Sequence, residues 1–184
     1  MHKILILGPQ GSGKGTQAKK LATKLDIPAL SAGDLLREEM ASGSSIGKEI
    51  ARFVNDGNLV PDHITSKLLK KRLLQKDMAG GFILDGFPRF MEQYDSAKTF
   101  LTPSAVIVIT VPKEESIQRI LKRADIENRT DDTPESIKKR LSWTKEKTAP
   151  VIEEYRKHNL IHEVSGIGDI GVVASRIHKA LNIT

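Results

Sequence analysis

The 184 residues are 39 % hydrophobic and 28 % charged, proportions that suit one soluble globular domain with a core and argue against a disordered chain. Cysteine is absent, which excludes disulfides, thiolate metal sites and a cysteine nucleophile. A net charge of +6, from 29 Lys and Arg against 23 Asp and Glu, invites an anionic partner. Nucleic acid is the first candidate, yet one Trp, two Tyr and five Phe offer no stacking platform for single-stranded bases. No apolar stretch approaches the roughly 18 residues that a membrane span needs, and the run at residues 4–7 is too short for a signal peptide. A cytoplasmic location with no membrane or nucleic-acid partner is expected.

Residues 4–7 read as a buried strand stopped by Gly8-Pro9,. From about residue 14 to 25, Ala18, Leu21, Ala22 and Leu25 form the stripe of an amphipathic helix,. A strand at 27–30 follows, then helical patterning through Leu35, Ile46, Ile50, Phe53, Ile64 and Leu68. Residues 82–84 and 105–111 read as strands, and about 113–123 as a helix. The polar stretch 124–133 reads as an exposed loop, after which Pro134 opens a long helix that Pro150 should kink or break,. A last strand at 160–164 and a last helix at 169–181 complete the chain. Alternating strands and helices predict right-handed βαβ units and a parallel sheet covered on both faces.

Between the first strand and first helix stands Gly8-Pro9-Gln10-Gly11-Ser12-Gly13-Lys14-Gly15-Thr16. Glycines let backbone N–H groups approach a phosphate chain, and the next helix adds its unpaired N–H groups and positive dipole end. Lys14 would reach the β and γ phosphates. In the general P-loop a Ser or Thr directly follows the Lys; here Gly15 intervenes and Thr16 comes one place late. A plain glycine-rich turn is the alternative. Asp85 ends an apolar run, the setting of an acid that holds Mg²⁺ through waters; a carboxylate capping a turn is the other reading. The five histidines show no metal-ligand spacing,.

The Gly-Lys-Gly-Thr variant resembles the nucleoside monophosphate kinase family, most closely its adenylate kinase branch. The similarity continues through Ser31-Ala32-Gly33-Asp34-Leu35-Leu36-Arg37, Gly57-Asn58-Leu59-Val60-Pro61-Asp62, Leu84-Asp85-Gly86-Phe87-Pro88-Arg89 and Gln93. Later come Arg119, Arg123, Arg129-Thr130-Asp131-Asp132, Arg140 and Thr148-Ala149-Pro150-Val151-Ile152. The resemblance implies an α/β fold of the P-loop NTPase type, three layers around a parallel sheet of about five strands. It implies a single domain over residues 1–184, with a helical acceptor-binding segment near 31–60 and a short lid loop near 124–133.

The implied reaction is Mg²⁺-dependent transfer, ATP + AMP ⇌ 2 ADP. ATP would lie on Gly11, Ser12, Gly13, Lys14, Gly15, Thr16, Arg119, Arg123 and Gly168. AMP would lie on Ala32, Arg37, Asn58, Leu59, Val60, Gly86, Phe87, Pro88, Arg89, Gln93, Arg129 and Arg140. Lys14, Arg89, Arg119, Arg123, Arg129 and Arg140 would carry the catalysis. Their chemistry fits: a monophosphate is already anionic near pH 7, its second pKa being about 6, so the enzyme needs fixed cations and no general base.

Two departures matter. Only five residues separate Arg123 from Arg129, so the folded lid of long family members is reduced to a flap, and without Cys or His it should hold no zinc. Ala32 stands where adenylate kinases usually have Thr, and the Ser-Ala-Gly-Asp form is typical of UMP/CMP kinases, the alternative reading. Gln93 is the adenylate kinase choice, and it favours AMP with relaxed base specificity. A P-loop switch or nucleic-acid-binding protein is the reading from a different class. At the donor base, backbone around Gly168 competes with a plain turn in which Asp169 caps the last helix.

Overall fold

Five short apolar runs form one parallel sheet in the computed structural model, which describes residues 1–56, 58–127 and 134–183. They are β1 (His2–Leu7), β2 (Ala29–Ser31), β3 (Gly81–Asp85), β4 (Ala105–Thr110) and β5 (Ile161–Ser165), in the order β2-β3-β1-β4-β5. Helices join them: α1 (Lys14–Leu25), α2 (Ala32–Ala41), α3 (Ser45–Asn55), α4 (Asp62–Leu73), α5 (Met91–Ala97), α6 (Lys113–Glu127), α7 (Pro134–Trp143), α8 (Ala149–Lys157) and α9 (Ile170–Ala180). The expected α/β architecture is thus realised.

Side-chain alternation along β1 divides the core. Ile4 and Ile6 face α1 and α9, packing with Ala18, Leu21, Val173 and Ile177, whereas Leu5 and Leu7 face Tyr94, Val151 and Tyr155 from α5 and α8,. Every residue from Ile4 to Leu7 is buried, as a strand covered by helices on both faces requires. Away from the sheet, Ile50, Val60 and Ile64 form a separate small core with Leu36, Met40 and Phe53. It knits α2, α3 and α4 into a helical segment. That segment is held to itself more than to the sheet, the arrangement expected of a unit that carries its own ligand contacts.

The strand order reverses at β1, whose neighbours are β3 on one side and β4 on the other. Ligands in open α/β sheets lie beyond the carboxyl ends of the strands at such a point. Register sets the geometry there: Ile6 pairs with Asp85, so the β1–α1 loop and the Asp85 carboxylate emerge side by side.

Four sequence expectations need correction. Helix α6 runs on to Glu127, so residues 124–127, expected in a loop, are helical; Ala124 to Glu127 contain no Gly or Pro to stop a helix. Strand β2 begins at Ala29 rather than at 27, after Pro28, which has no N–H for the ladder,. Helix α5 and a 3-10 turn at Lys76–Met78 are too short for a periodic signal. At Pro150 the helix is not ended: a π-helical turn over Thr144–Thr148 leads into α8 with the proline in its first turn, where a missing N–H costs nothing. Gly57 and residues 128–133, with Arg129 and most of the expected flap, lie outside the described residues.

Candidate active site

A cleft of about 870 Å³ opens beyond the carboxyl ends of the strands, between the sheet and the α2–α4 segment. The Gly8–Thr16 stretch forms one end. Gly11 has φ +77°, and a Cβ there would meet the Ser116 carbonyl oxygen at 2.4 Å, so only glycine lets the loop lie against α6. Gly13 precedes α1 with φ 91° and no side chain caps that helix. Its first N–H groups therefore face the cleft, ready for an anion. The Lys14 ammonium folds back over the loop and donates to the Pro9 carbonyl oxygen at 2.7 Å.

Arg119 stands beside this cradle. Its Nη1 lies 3.9 Å from the place a Gly13 Cβ would occupy, and its Nε donates to Glu115 Oε1 at 2.7 Å, an i, i+4 pair that aims the guanidinium. Ser12, 1 % exposed, and Thr16 and Gly15 complete the loop's lining.

The other end of the cleft is built from α2 and the β3–α5 loop. Ser31 caps α2, accepting from the Asp34 N–H at 3.2 Å, and Asp34 pairs with Arg37 one turn on. The Arg89 Nε donates to the Gly86 carbonyl oxygen at 2.7 Å, while its backbone N–H donates to Gln93 Oε1 at 2.8 Å. That bond fixes the Gln93 amide, since Oε1 must face the donor. Ala32, Asn58, Leu59 and Val60 line the same end.

The structure brings most of the expected residues together, with exceptions. Lys14, Arg37, Arg89, Arg119, Gln93, Asp85 and Gly168 all border the one cleft. Phe87 does not: it is fully buried, its ring stacked 6.5 Å from Phe100. Pro88, joined to it by a cis peptide, is also buried. Both shape the arginine loop from beneath rather than presenting side chains to a ligand. Arg123 lies on α6 and Arg140 on α7, with their side chains outside the described residues. Asp169 does occupy the N-cap position of α9, with extended backbone and without a side-chain cap bond, so the turn reading of the 166–169 loop stands beside the donor-site one.

A family model described as adenylate kinase matches residues 6–160. Adenylate kinase of Xanthomonas euvesicatoria pv. vesicatoria is 44 % identical over 184 residues, covering 97 % of this chain and 98 % of that protein. Adenylate kinase of Nocardioides sp. is 40 % identical over 186 residues, covering 98 % of this chain and 97 % of its own. That of Thermobifida fusca is 39 % identical over 184 residues, with 97 % of each covered. The chain belongs to the adenylate kinase family.

It is accordingly a phosphotransferase, a nucleoside monophosphate kinase of the adenylate kinase type. Two residues bordering the cleft carried no role in the sequence reading. Gln17, 4 % exposed, donates from Nε2 to the Ile170 carbonyl oxygen at 3.0 Å. Thr148 donates from its hydroxyl to the Arg89 carbonyl oxygen at 2.9 Å. The available signal for Gln17 was a polar side chain flanking the apolar stripe of α1, three residues after Lys14. No helix among the described residues is long and apolar enough to cross a membrane.

The Mg²⁺ that this family's reaction uses finds a fitting donor set. A Cβ on Gly15 would stand 3.4 Å from Asp85 Oδ2, which puts the carboxylate next to the phosphate cradle. The Asp85 carboxylate suits a hard cation, and Thr16 lines the same cleft,. Such a set matches Mg²⁺ held mainly by waters and phosphates.

Proposed function

We propose that the P-loop end of the cleft takes the ATP phosphates and the Arg37–Arg89–Gln93 end takes AMP, so that one phosphoryl group passes directly between them. The observation that carries this reading is the single cleft with a phosphate cradle at one end and two arginines plus a fixed amide at the other. An AMP phosphate oxygen attacks the ATP γ-phosphorus, a new P–O bond forms, and the bond to the β-phosphate oxygen breaks to release ADP. No proton need move, because the acceptor is already anionic.

Charge is what the protein must supply. Lys14 and the α1 N–H groups neutralise the donor phosphates, and Arg119 meets the charge spread over the moving group. Arg37 and Arg89 orient the acceptor phosphate, with the Arg89 guanidinium held in one plane by its bond to the Gly86 carbonyl,. By resemblance, Arg123, Arg129 and Arg140 would close on the transferring phosphoryl group, with Arg123 and Arg129 carried inward by the flap. Asp85, with Thr16 in the same lining, would hold Mg²⁺, which when bound would supply positive charge to offset that of the phosphates,.

Base choice follows from Gln93. Its Oε1 already accepts from the Arg89 N–H, which leaves one lone pair there and both N–H donors of the amide, and we assign the donor side as the group that reads the base. Adenine N1 and cytosine N3 accept a hydrogen bond, while uracil N3–H and guanine N1–H cannot. AMP is therefore the principal acceptor, and CMP the next, favoured by the small Ala32. The test is ADP formation from ATP and AMP, with Lys14→Met as the inactive control. An active Lys14→Met enzyme would remove the P-loop from the assigned chemistry.

A further inference from the structure

Side chains from α1 and α9 bond the backbone of the 166–169 loop or of the residues that flank it. From α1, Gln17 donates to the Ile170 carbonyl oxygen at 3.0 Å. From α9, Arg176 Nη1 donates to the Ser165 carbonyl oxygen at 3.0 Å and also to that of Ile167. The loop itself is pressed on the phosphate cradle: a Cβ on Gly166 would sit 3.0 Å from the Ser12 carbonyl oxygen and 2.7 Å from Ile109 Cγ2. Its N–H donates to the Thr110 carbonyl oxygen at 2.8 Å.

The Gln17 amide is an odd group to bury. Its Oε1 is shielded and finds no hydrogen-bond partner among the described residues, and such atoms are costly to leave unmade. An apolar side chain would pack the α1–α9 contact without that cost. What the amide adds is the one bond to Ile170, the first residue of α9, which fixes where the 166–169 loop stands relative to Lys14 on the same helix.

We infer that Gln17 is a positioning residue for the donor nucleotide, tying the loop at Gly168 to the helix that carries the phosphate cradle, with Arg176 holding the loop's other side. The inference rests on the reading of the 166–169 loop as part of the ATP site. Phosphates and base of one donor molecule then meet two elements kept at a fixed separation. A donor bound across a fixed gap loses less entropy than one that must order the loop itself. The acceptor end of the cleft shares none of these bonds, so the effect is confined to ATP.

The test is steady-state kinetics of Gln17→Met and Arg176→Met with ATP and AMP varied in turn. Each should raise the KM for ATP about tenfold, equivalent to about 1.4 kcal/mol, and leave the KM for AMP and kcat within twofold. Gly168→Val, at φ +110°, separates the inference from the reading beneath it, since a side chain there strains the loop directly. A raised ATP KM in Gly168→Val with unchanged values in both Met variants overturns the positioning role alone. An unchanged ATP KM in all three removes the loop from the donor site and overturns both. A change in Gln17→Met that falls equally on AMP also contradicts the inference. If Gln17→Met does not fold, Arg176→Met, on the surface, decides between these outcomes.

Discussion

The Thr148 hydroxyl donates to the Arg89 carbonyl oxygen at 2.9 Å, joining segments 59 residues apart. Thr148 closes the π-helical turn ahead of Pro150, and Arg89 lies at the acceptor end of the cleft. The helical arm that begins at α7, the helix of Arg140, is thereby pinned to the arginine loop. Thr148→Val keeps the shape and removes the donor. It should cost about 1 kcal/mol of stability, seen as a Tm lower by about 2–4 °C, together with a raised KM for AMP. A drop in Tm with unaltered AMP kinetics would make the bond purely structural.

In the proposed arrangement Arg89 would hold the acceptor phosphate through a guanidinium already anchored on Gly86. A lysine cannot keep that bond and still offer two parallel donors. Arg89→Lys should lower kcat/KM for AMP by about two to three orders of magnitude, the roughly 3–4 kcal/mol of a lost transition-state donor. A folded variant with wild-type turnover would show that Arg89 holds no substrate.

Gln93→Glu is a sharper probe than truncation, because the carboxylate can still accept from the Arg89 N–H. Only the base-facing group changes, from donor to acceptor. The ratio of kcat/KM for UMP over AMP should rise about tenfold or more, equivalent to about 1.4 kcal/mol. Equal losses on both nucleotides would mean that Gln93 does not read the base.

Tyr155 is buried against Tyr94, their rings 5.1 Å apart edge to face. Burial pushes its phenol well above the ordinary value of 10.0. The folded protein thus keeps a proton that the unfolded chain releases, and stability that is full below about pH 10 is lost as pH rises further. Urea midpoints at pH 9 and 11 should fall more steeply for the wild type than for Tyr155→Phe. Parallel slopes would mean that Tyr155 ionises normally.

Much of this was legible from residue order. The Gly8–Thr16 loop between strand and helix and the buried apolar run at Ile4 to Leu7 are local patterns, and the structure keeps both as elements. What escaped depends on where distant segments meet. Phe87 reads as part of a binding motif, but its ring completes the core beside Phe100. The Oε1 of Gln93 accepts from the Arg89 N–H, a partner that the sequence motif does not disclose. Gln17 finds its partner 153 residues away, and no spacing rule reaches that far. The end of α6 was missed for the opposite reason: polar side chains suggested a loop where the backbone had nothing to break it.

The most direct measurement is ADP formation from ATP with AMP, CMP, UMP and GMP in parallel, with and without Mg²⁺. The order AMP, then CMP, then UMP and GMP far behind, all dependent on Mg²⁺, is the predicted result. A preference for UMP or GMP over AMP, or equal rates for all four, would contradict a base chosen by the donor end of the Gln93 amide.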